Sequence, residues 1–300
     1  MGKFLIAGMV ALLAIPPSLF AATSIRKQIQ QWREQGVREG WTFEVGDNPM
    51  LHIPKEYRTG YDPMVNRKQL QKLERVSPLR VAIPKKFDWR ELNAVSPIKD
   101  QAYPQYCGSC WAFGTVAVVE SLIKIATGKD IDIAEQQLVS CSPNYGTCSG
   151  GNFAFGFYTK KGANHEEDFP YMADDVSCKS TAAQFEKVDS YAYVGESGRG
   201  PSVDEMKQAI YQYGPIAVTV SASGAWSAYK GGIYNACNSN GTNHIVALVG
   251  YDDDDQVWIL KNSHGTVWGE QGYMRIKYVG TSGHKCNNVG AEAMFARFKP

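Results

Sequence analysis

The pattern of apolar residues changes along the chain, so that a helical part precedes a strand-rich part. The stretch CWAFGTVAVVESLIKIATGKD is apolar at positions 112, 116, 119 and 123. This spacing predicts a buried helix that begins at Cys110 and stops at Gly128. Beyond about residue 186, the runs PIAVTVSA, NHIVALVGY, QVWILKNSHG and GYMRIKY are bounded by Gly, Asn and Asp, which predicts an antiparallel sheet. We therefore expect an α+β protein of two lobes with its site in the cleft between them.

The first residues have a different pattern, in which Lys3 precedes an apolar run from Phe4 to Leu13. Two prolines and the small residues Ala21 and Ala22 follow. This order is typical of a signal peptide and predicts cleavage after about residue 22. The run is interrupted by proline and is shorter than the ~20 apolar residues that span a bilayer, so we expect export without a membrane anchor.

Residues 23–84 predict a segment that is separate from the folded domain. Ile25, Ile29 and Trp32 recur at helical spacing, which indicates a short amphipathic helix ending at Gly36. Prolines at positions 49, 54, 63, 78 and 84 then break up a mostly polar stretch. Such an extended segment is ordered only if it lies on another surface; the alternative is a solvated linker. The predicted organisation is a signal peptide at 1–22, a pro-segment at 23–84 and a catalytic domain at 85–300.

The distribution of charge adds to this division. The net charge of +1 gives no indication of a nucleic-acid partner. Residues 23–84 carry 11 Lys or Arg and 7 Asp or Glu, whereas residues 85–300 carry 19 and 23. Balances of +4 and −4 predict that carboxylates help to hold the pro-segment and that acid releases it.

The cysteine count is odd, and this matters in an exported protein, where disulfides are favoured. If six of the cysteines pair, one thiol is left over. The CxxC of Cys107 and Cys110 is compatible with a thioredoxin-like dithiol, with half a zinc site, or with a structural cysteine beside a nucleophile. Zinc would need a second close pair or suitably spaced histidines, and CSPNYGTC has the wrong gap, so we expect no metal and no cofactor. The seven cysteines are at 107, 110, 141, 148, 178, 237 and 286.

Nucleophilic chemistry is indicated by the position of Cys110 in the first turn of the predicted helix. The helix dipole and free N–H groups lower the pKa of a thiol placed there. Amide cleavage also needs an imidazole and an acceptor that orients it. Among five histidines only His244 lies in an apolar strand, and Asn262 ends the run VWILKN. Taken alone, such a histidine is more often a core residue and such an asparagine a turn residue.

Several motifs, in order, resemble the papain family of cysteine peptidases over most of residues 84 to 290. The resemblance rests on CGSCWAF, NHIVALVGY and WILKNSHGTVWGEQGYMRI, and FDWRELNAVSPIKDQ resembles the mature amino-terminal strand of the family. AEQQLVSCS, CSGG, DFPYMADDVSCK and YKGGIYNAC resemble its internal landmarks. The resemblance implies a papain-like fold with a helical lobe, an antiparallel β-barrel-like lobe and the active-site cleft between them.

The same resemblance implies catalytic roles. Cys110 would be the nucleophile, His244 the general base and acid, and Asn262 the residue that orients the imidazole. Gln101 would supply a side-chain N–H to the oxyanion hole, together with the backbone N–H of Cys110. The implied disulfides are Cys107 with Cys148, Cys141 with Cys178, and Cys237 with Cys286.

Substrate-binding residues are implied as well. Gly150 and Gly151 would offer bare backbone to an extended peptide. The pocket for the side chain two residues before the cut, P2, would be lined by Phe153, Thr219 and Ala291, which predicts a hydrophobic or aromatic preference. A shift of one residue would bring in Glu292 and admit basic side chains. The complete implied set is Gly150, Gly151, Phe153, Thr219, Asn243, His264, Trp268 and Ala291.

One departure from the family pattern is a longer gap before the first cysteine, where QAYPQYC carries about three extra residues. We expect Gln101 to keep the oxyanion role, with Gln105 as the alternative. The insertion resembles the mini-loop of cathepsin X, a carboxypeptidase. Ala102 stands where that enzyme has the histidine that would hold a substrate carboxylate.

A second departure is His264, which stands where the family typically has a tryptophan that shields the bond between the asparagine and the histidine. Exposure to water would weaken that bond. We therefore expect lower activity or a shifted pH dependence, because histidine titrates near neutrality.

The leading prediction is an exported cysteine endopeptidase, made as a zymogen, that acts as a monomer on peptide or protein substrates. Its own pro-segment would be its intramolecular inhibitor, with no nucleic-acid partner and no membrane partner after signal cleavage. The alternatives are an exopeptidase, supported by the loop at 102–104, and a silent peptide-binding homologue, supported by His264. A thiol-disulfide oxidoreductase is disfavoured because the resemblance pairs Cys107 with Cys148. The sequence leaves the cell exterior, a lysosome and a periplasm open.

Overall fold

The computed structural model describes residues 17–179, 187–280 and 283–299, with backbone alone for 17–22. The signal-peptide prediction falls mainly on residues 1–16, outside this range. The helices are α1 (Pro17–Glu39), α2 (Arg67–Leu70), α3 (Cys110–Thr127), α4 (Glu135–Cys141), α5 (Phe155–Tyr158) and α6 (Val203–Tyr213). The strands are β1 (Thr42–Val45), β2 (Arg75–Val76), β3 (Lys86–Asp88), β4 (Gly146–Thr147), β5 (Gly150–Gly151), β6 (Ser190–Val194), β7 (Ile216–Val220), β8 (Tyr229–Tyr234), β9 (His244–Asp252), β10 (Val257–Lys261), β11 (Tyr273–Lys277) and β12 (Ala293–Arg297).

The strand-rich part forms one large sheet with the order β1-β8-β11-β10-β9-β7-β12-β6-β2. Strand β9 pairs antiparallel with β7 and β10, and β10 pairs antiparallel with β11. These four strands coincide with the four β-rich runs of the sequence, so that prediction is confirmed. Two separate apolar clusters, one around α3 and one within the sheet, give the α+β architecture its two lobes.

Helix α3 begins and ends as predicted. Gly128 takes a left-handed conformation (φ 73°), which glycine adopts without a steric penalty, and it caps the helix. Gly114 is what lets the helix approach the sheet, because a Cβ there would lie 2.6 Å from a methyl of Ile245 on β9. By length and composition α3 would also suffice to cross a membrane, but its residues are mostly buried inside the molecule.

Two helical features differ from the sequence predictions. Helix α1 continues past Gly36 to Glu39, and Gly40 (φ 65°) ends it. Gly36 instead makes room for Trp41, whose ring would lie 3.0 Å from a Cβ at that position. Helix α6 was not predicted, although Ser202 and Glu205 form a capping box at its start.

The predicted pro-segment lies on the rest of the molecule, as expected of an ordered extended segment. Its strand β1 pairs with β8, and its strand β2 runs parallel to β6. Among the described residues, no ion pair within 4 Å joins residues 23–84 to residues 85–299. Apolar contacts and hydrogen bonds make this interface, and the guanidinium of Arg75 lies over the ring of Tyr193 at 4.6 Å. The hydroxyls of Tyr61 and Ser77 donate to the carboxylates of Glu292 and Glu205.

Three disulfides join described cysteines, and the pairs are those that the resemblance implied. Cys110 is the free cysteine among the described residues. The bonds are Cys107–Cys148, Cys141–Cys178 and Cys237–Cys286. Because Cys107 is bonded to Cys148, it does not form a dithiol with Cys110.

Candidate active site

Cys110 lies at the first position of α3, fully buried under the segment that crosses the cleft. The backbone N–H groups of Ile245 and Trp111 hydrogen-bond its sulphur and favour the thiolate. Burial outweighs them and raises the pKa of the thiol to about 12. The lower pKa expected from the helix dipole is therefore not realised while the cleft is covered.

His244 begins β9 and faces Asn262, which follows β10. The Nε2 of His244 lies 2.8 Å from Oδ1 of Asn262, and the backbone N–H of Ser263 donates to the same oxygen at 2.9 Å. Because that oxygen only accepts, Nε2 carries the proton. Nδ1 is buried with no hydrogen-bond partner among the described residues. Burial lowers the pKa of His244 to about 4, against the opposing effect of the Asn262 bond, so the covered site holds a neutral imidazole and a neutral thiol.

Gln101, rather than Gln105, points into the cleft. Its Nε2 donates to the carbonyls of Tyr57 and Thr59 at 3.3 Å each, and its Oε1 accepts from the hydroxyl of Ser263 at 2.8 Å. Gln105 is exposed and donates to a distant backbone carbonyl. A buried amide fixed at one end and presenting N–H at the other is what an oxyanion hole requires.

Residues 57 to 62 cross the cleft directly over the nucleophile. The N–H groups of Gly60 and Tyr61 donate to the carbonyl of Asn243 at 3.2 and 3.0 Å. A Cβ at Gly60 would overlap the carbonyl of Gly108, two residues before Cys110. The backbone therefore passes as close to the active-site loop as a chain can, which only glycine permits.

Gly151 pairs with the same crossing segment. Its N–H donates to the carbonyl of Gly60 at 2.8 Å, and its carbonyl accepts from the N–H of Asp62 at 2.9 Å. The bridge between Tyr61 and Gly151 is parallel. A Cβ on Gly151 would lie 2.6 Å from the ring of Trp111, so this position needs glycine for packing as well as for pairing.

Of the three residues predicted to line the P2 pocket, Phe153 and Thr219 are buried and Ala291 is exposed in a bend. Glu292 faces the cleft instead, and its carboxylate accepts from the hydroxyl of Tyr61 at 2.9 Å. Thr219 holds the backbone of Glu292 in place, since the N–H of Glu292 donates to the Thr219 hydroxyl at 3.0 Å. The carboxylate of Glu292 therefore binds a side chain of the segment that crosses the cleft.

While residues 57–62 cover the cleft, the bond between Asn262 and His244 beside His264 is shielded from water. His264 and Asn262 are both buried, and Trp268 packs edge-on against the His264 ring at 5.4 Å. The pKa of His264 lies well below its usual value because of burial first and the neighbouring His244 second. Trp268 is itself fully buried, donates to the carbonyl of Trp226 at 3.2 Å and therefore packs between His264 and Trp226.

The inserted loop lies at the surface beside the crossing segment. Tyr103 is exposed, whereas Ala102 packs partly against the sheet core. Tyr106, just after the insertion, approaches the ring of Tyr57 at 6.1 Å. Within the described ranges, no group of three or more His, Cys, Asp or Glu is placed to hold a metal ion.

Arg58, Gly60 and Tyr61 are site residues that sequence reasoning missed. All three lie in the proline-rich stretch, where only Gly60 carried a local signal. Their contacts with His264, Gly108 and Glu292 join positions far apart in the chain, which no local pattern encodes.

Comparisons with known proteins agree with this geometry. A model described as papain family cysteine protease matches residues 83–296. Cysteine proteinase COT44 of Brassica napus is 39% identical over 71% of this chain, which spans 65% of that protein. Zingipain-2 of Zingiber officinale is 42% identical over 65% of this chain and 88% of its own. The digestive procathepsin L2 proteinase of Tenebrio molitor larval midgut superposes with a TM-score of 0.82 at 27% identity, over 96% of this chain and 95% of that one.

Proposed function

Because the chain belongs to the papain family of cysteine proteases, we propose that it is an exported, monomeric endopeptidase made as a zymogen, with the pro-segment at 23–84 and the catalytic domain at 85–300. The observation that carries this proposal is the arrangement of Cys110, His244 and Asn262 under a crossing backbone segment. The three disulfides support an oxidising compartment. The overlap with a procathepsin across 96% of the chain supports the zymogen.

The proposed chemistry follows from the geometry. Once the crossing segment leaves, water reaches the site and the thiol proton passes to Nδ1 of His244, since that nitrogen has no other partner. Cys110 attacks the carbonyl carbon of the scissile bond. The N–H of Gln101 and the backbone N–H of Cys110 stabilise the developing oxyanion. His244 then protonates the leaving amine, and water hydrolyses the acyl-enzyme.

We expect the enzyme without its pro-segment to cleave peptides that are blocked at both ends. Ala102 offers no charge for a free carboxylate, and the cleft side of Gly151 accepts extended backbone, so a free terminus is not needed. The measurement is the cleavage rate of one peptide with an amidated or a free carboxyl end. Cleavage of the free-carboxylate form alone would establish the exopeptidase instead and assign the loop at 102–104 a role in specificity.

For the P2 pocket we propose that it accepts aromatic and basic side chains. Tyr61 supports this proposal, because its ring packs against the helical-lobe core while its hydroxyl reaches Glu292. Arginine would reach the same carboxylate with charged donors. Glu292→Gln should lower kcat/KM for P2 arginine by about tenfold and leave P2 phenylalanine within about twofold.

The matched control for that prediction is Ala291→Ser, at the adjacent position. We expect this variant to leave kcat/KM unchanged for both substrates, because Ala291 is exposed outside the proposed pocket. A change of preference in this variant, with none in Glu292→Gln, would show that the pocket register is the one implied by the sequence resemblance.

A further inference from the structure

Both ring nitrogens of His264 have hydrogen-bond partners, one in the catalytic group and the other in the segment that crosses the cleft. Nδ1 lies 2.9 Å from the side-chain nitrogen of Asn262, and Nε2 lies 2.9 Å from the backbone carbonyl oxygen of Arg58. The ring is 2% exposed. A histidine at this place therefore connects the catalytic asparagine to the backbone that fills the cleft.

The positions of the protons follow from these partners. A carbonyl only accepts, so Nε2 of His264 carries the hydrogen and Nδ1 of the neutral ring accepts. The amide N–H of Asn262 donates to that Nδ1, which holds Oδ1 toward His244. His244 must then carry its proton on Nε2 and present Nδ1 as an acceptor. A tryptophan at position 264 could donate from its indole N–H but could not accept from Asn262.

The carbonyl partner is held in place by its own side chain. The guanidinium of Arg58 donates to the carbonyls of Ile53 and Leu51 at 2.8 and 3.1 Å, so it ties the crossing segment into a compact turn. Along this segment, Arg58 contacts His264, Thr59 contacts Gln101, and Gly60 contacts Gly151. His264 therefore lies on the opposite side of the nucleophile from Gly151.

We propose that His264 is a positioning residue that couples Asn262 to a backbone carbonyl on the leaving-group side of the cleft. In the zymogen that carbonyl belongs to Arg58. In a substrate complex it is the carbonyl of the residue just after the cut, which takes the Nε2–H that Arg58 vacates. The inference deepens the proposed function and rests on it, because it assigns that site a contact with the leaving peptide.

Three variants distinguish the roles of the two ring nitrogens of His264. His264→Asn keeps an acceptor near the Nδ1 position, His264→Gln keeps a donor near the Nε2 position, and His264→Phe removes both. Each pro-segment-free enzyme is tested on two substrates with the same acyl part, one releasing a small chromogenic amine and one releasing a peptide. The readout is the ratio of kcat/KM for the peptide leaving group to that for the amine.

We expect His264→Asn to lower this ratio about tenfold, because only the peptide leaving group offers the carbonyl. His264→Gln should keep the ratio near the wild-type value while lowering both rate constants, and His264→Phe should lower both the ratio and the rates. An unchanged ratio in the Asn and Phe variants would overturn the carbonyl contact. Unchanged cleavage of the amine substrate by the Phe variant would overturn the role in positioning Asn262.

A second measurement does not depend on activity. In the full chain carrying Cys110→Ala, which prevents self-processing, ¹⁵N NMR of the histidine rings should show His264 neutral, with Nε2 protonated and Nδ1 accepting. A proton on Nδ1 of His264 would overturn the inference. If wild type cleaves neither substrate while this tautomer is found, the proposed function fails and the coupling in the zymogen stands.

Discussion

Replacing Cys110 by serine is expected to lower kcat/KM of the pro-segment-free enzyme by at least ~10⁴-fold. The two side chains differ by one atom, so the fold and the oxyanion hole are retained. A serine hydroxyl, however, does not transfer its proton to the resting imidazole as a thiol does, and it is a far weaker nucleophile. The measurement is hydrolysis of a blocked dipeptidyl amide by both proteins after identical maturation.

The control is a thermal unfolding curve of the serine variant, which should match that of wild type. Alkylation of wild type with one equivalent of a thiol reagent should abolish the same activity, since Cys110 is the free cysteine of the described residues. Substantial cleavage by the serine variant would rule out Cys110 as the nucleophile.

In the full chain, Cys110 should react with a disulfide-exchange reagent at pH 7 at least ~10³-fold more slowly than after removal of the pro-segment. Two effects act together: burial excludes the reagent, and the pKa of about 12 leaves almost no thiolate. In the open site the sulphur is hydrated and paired with His244, which restores reactivity. The reaction is followed by release of the chromophore from the reagent.

A lower pH should reduce the difference between the reaction rates of Cys110 in the full chain and in the pro-segment-free enzyme. Burial lowers the pKa of His244 in the covered site to about 4, and the pKa of His264 is shifted in the same direction. The open site therefore binds protons that the closed form resists, so the closed form loses stability as the pH falls toward 4. A rate difference that stays constant from pH 7 to pH 4 would contradict this account.

These histidines add a second explanation for acid release to the one that the sequence suggested. No ion pair crosses between described residues of the two parts, but the carboxylates of Glu292 and Glu205 accept hydrogen bonds from Tyr61 and Ser77. The closed form also resists protonation of the imidazoles that are buried beneath it. The net charge of a segment can be counted from the sequence, whereas the burial of a histidine depends on the folded structure.

The elements that the sequence predicted correctly are those that the pattern of neighbouring residues determines. The spacing of apolar residues and the glycine at 128 predicted α3, and short β-rich runs bounded by Gly, Asn and Asp predicted β7, β9, β10 and β11. The motifs around Cys110, His244 and Asn262 led to residues that the structure brings together. Helix α6 was missed because the surrounding β-rich texture dominated, although Ser202 and Glu205 carried a local signal.

What could not be predicted depends on register and on distant contacts. Asn287 and Asn288 both adopt left-handed conformations (φ 49° and 52°), and this bend precedes the segment in which Glu292, rather than Ala291, faces the cleft. Likewise Lys99 pairs with Glu120 and Glu135 behind the site, an arrangement that only the folded chain assembles.

The close passage of Gly60 over Gly108 has a consequence for selectivity among related peptidases. At the centre of the crossing the contacts are backbone against backbone, which any member of such a family could accept. At one flank the backbone carbonyl of Arg58 meets His264, and at the other the hydroxyl of Tyr61 meets Glu292. Only the second contact needs a particular side chain of the crossing segment, so a foreign segment without a donor at the position of Tyr61 would leave the carboxylate of Glu292 unpaired.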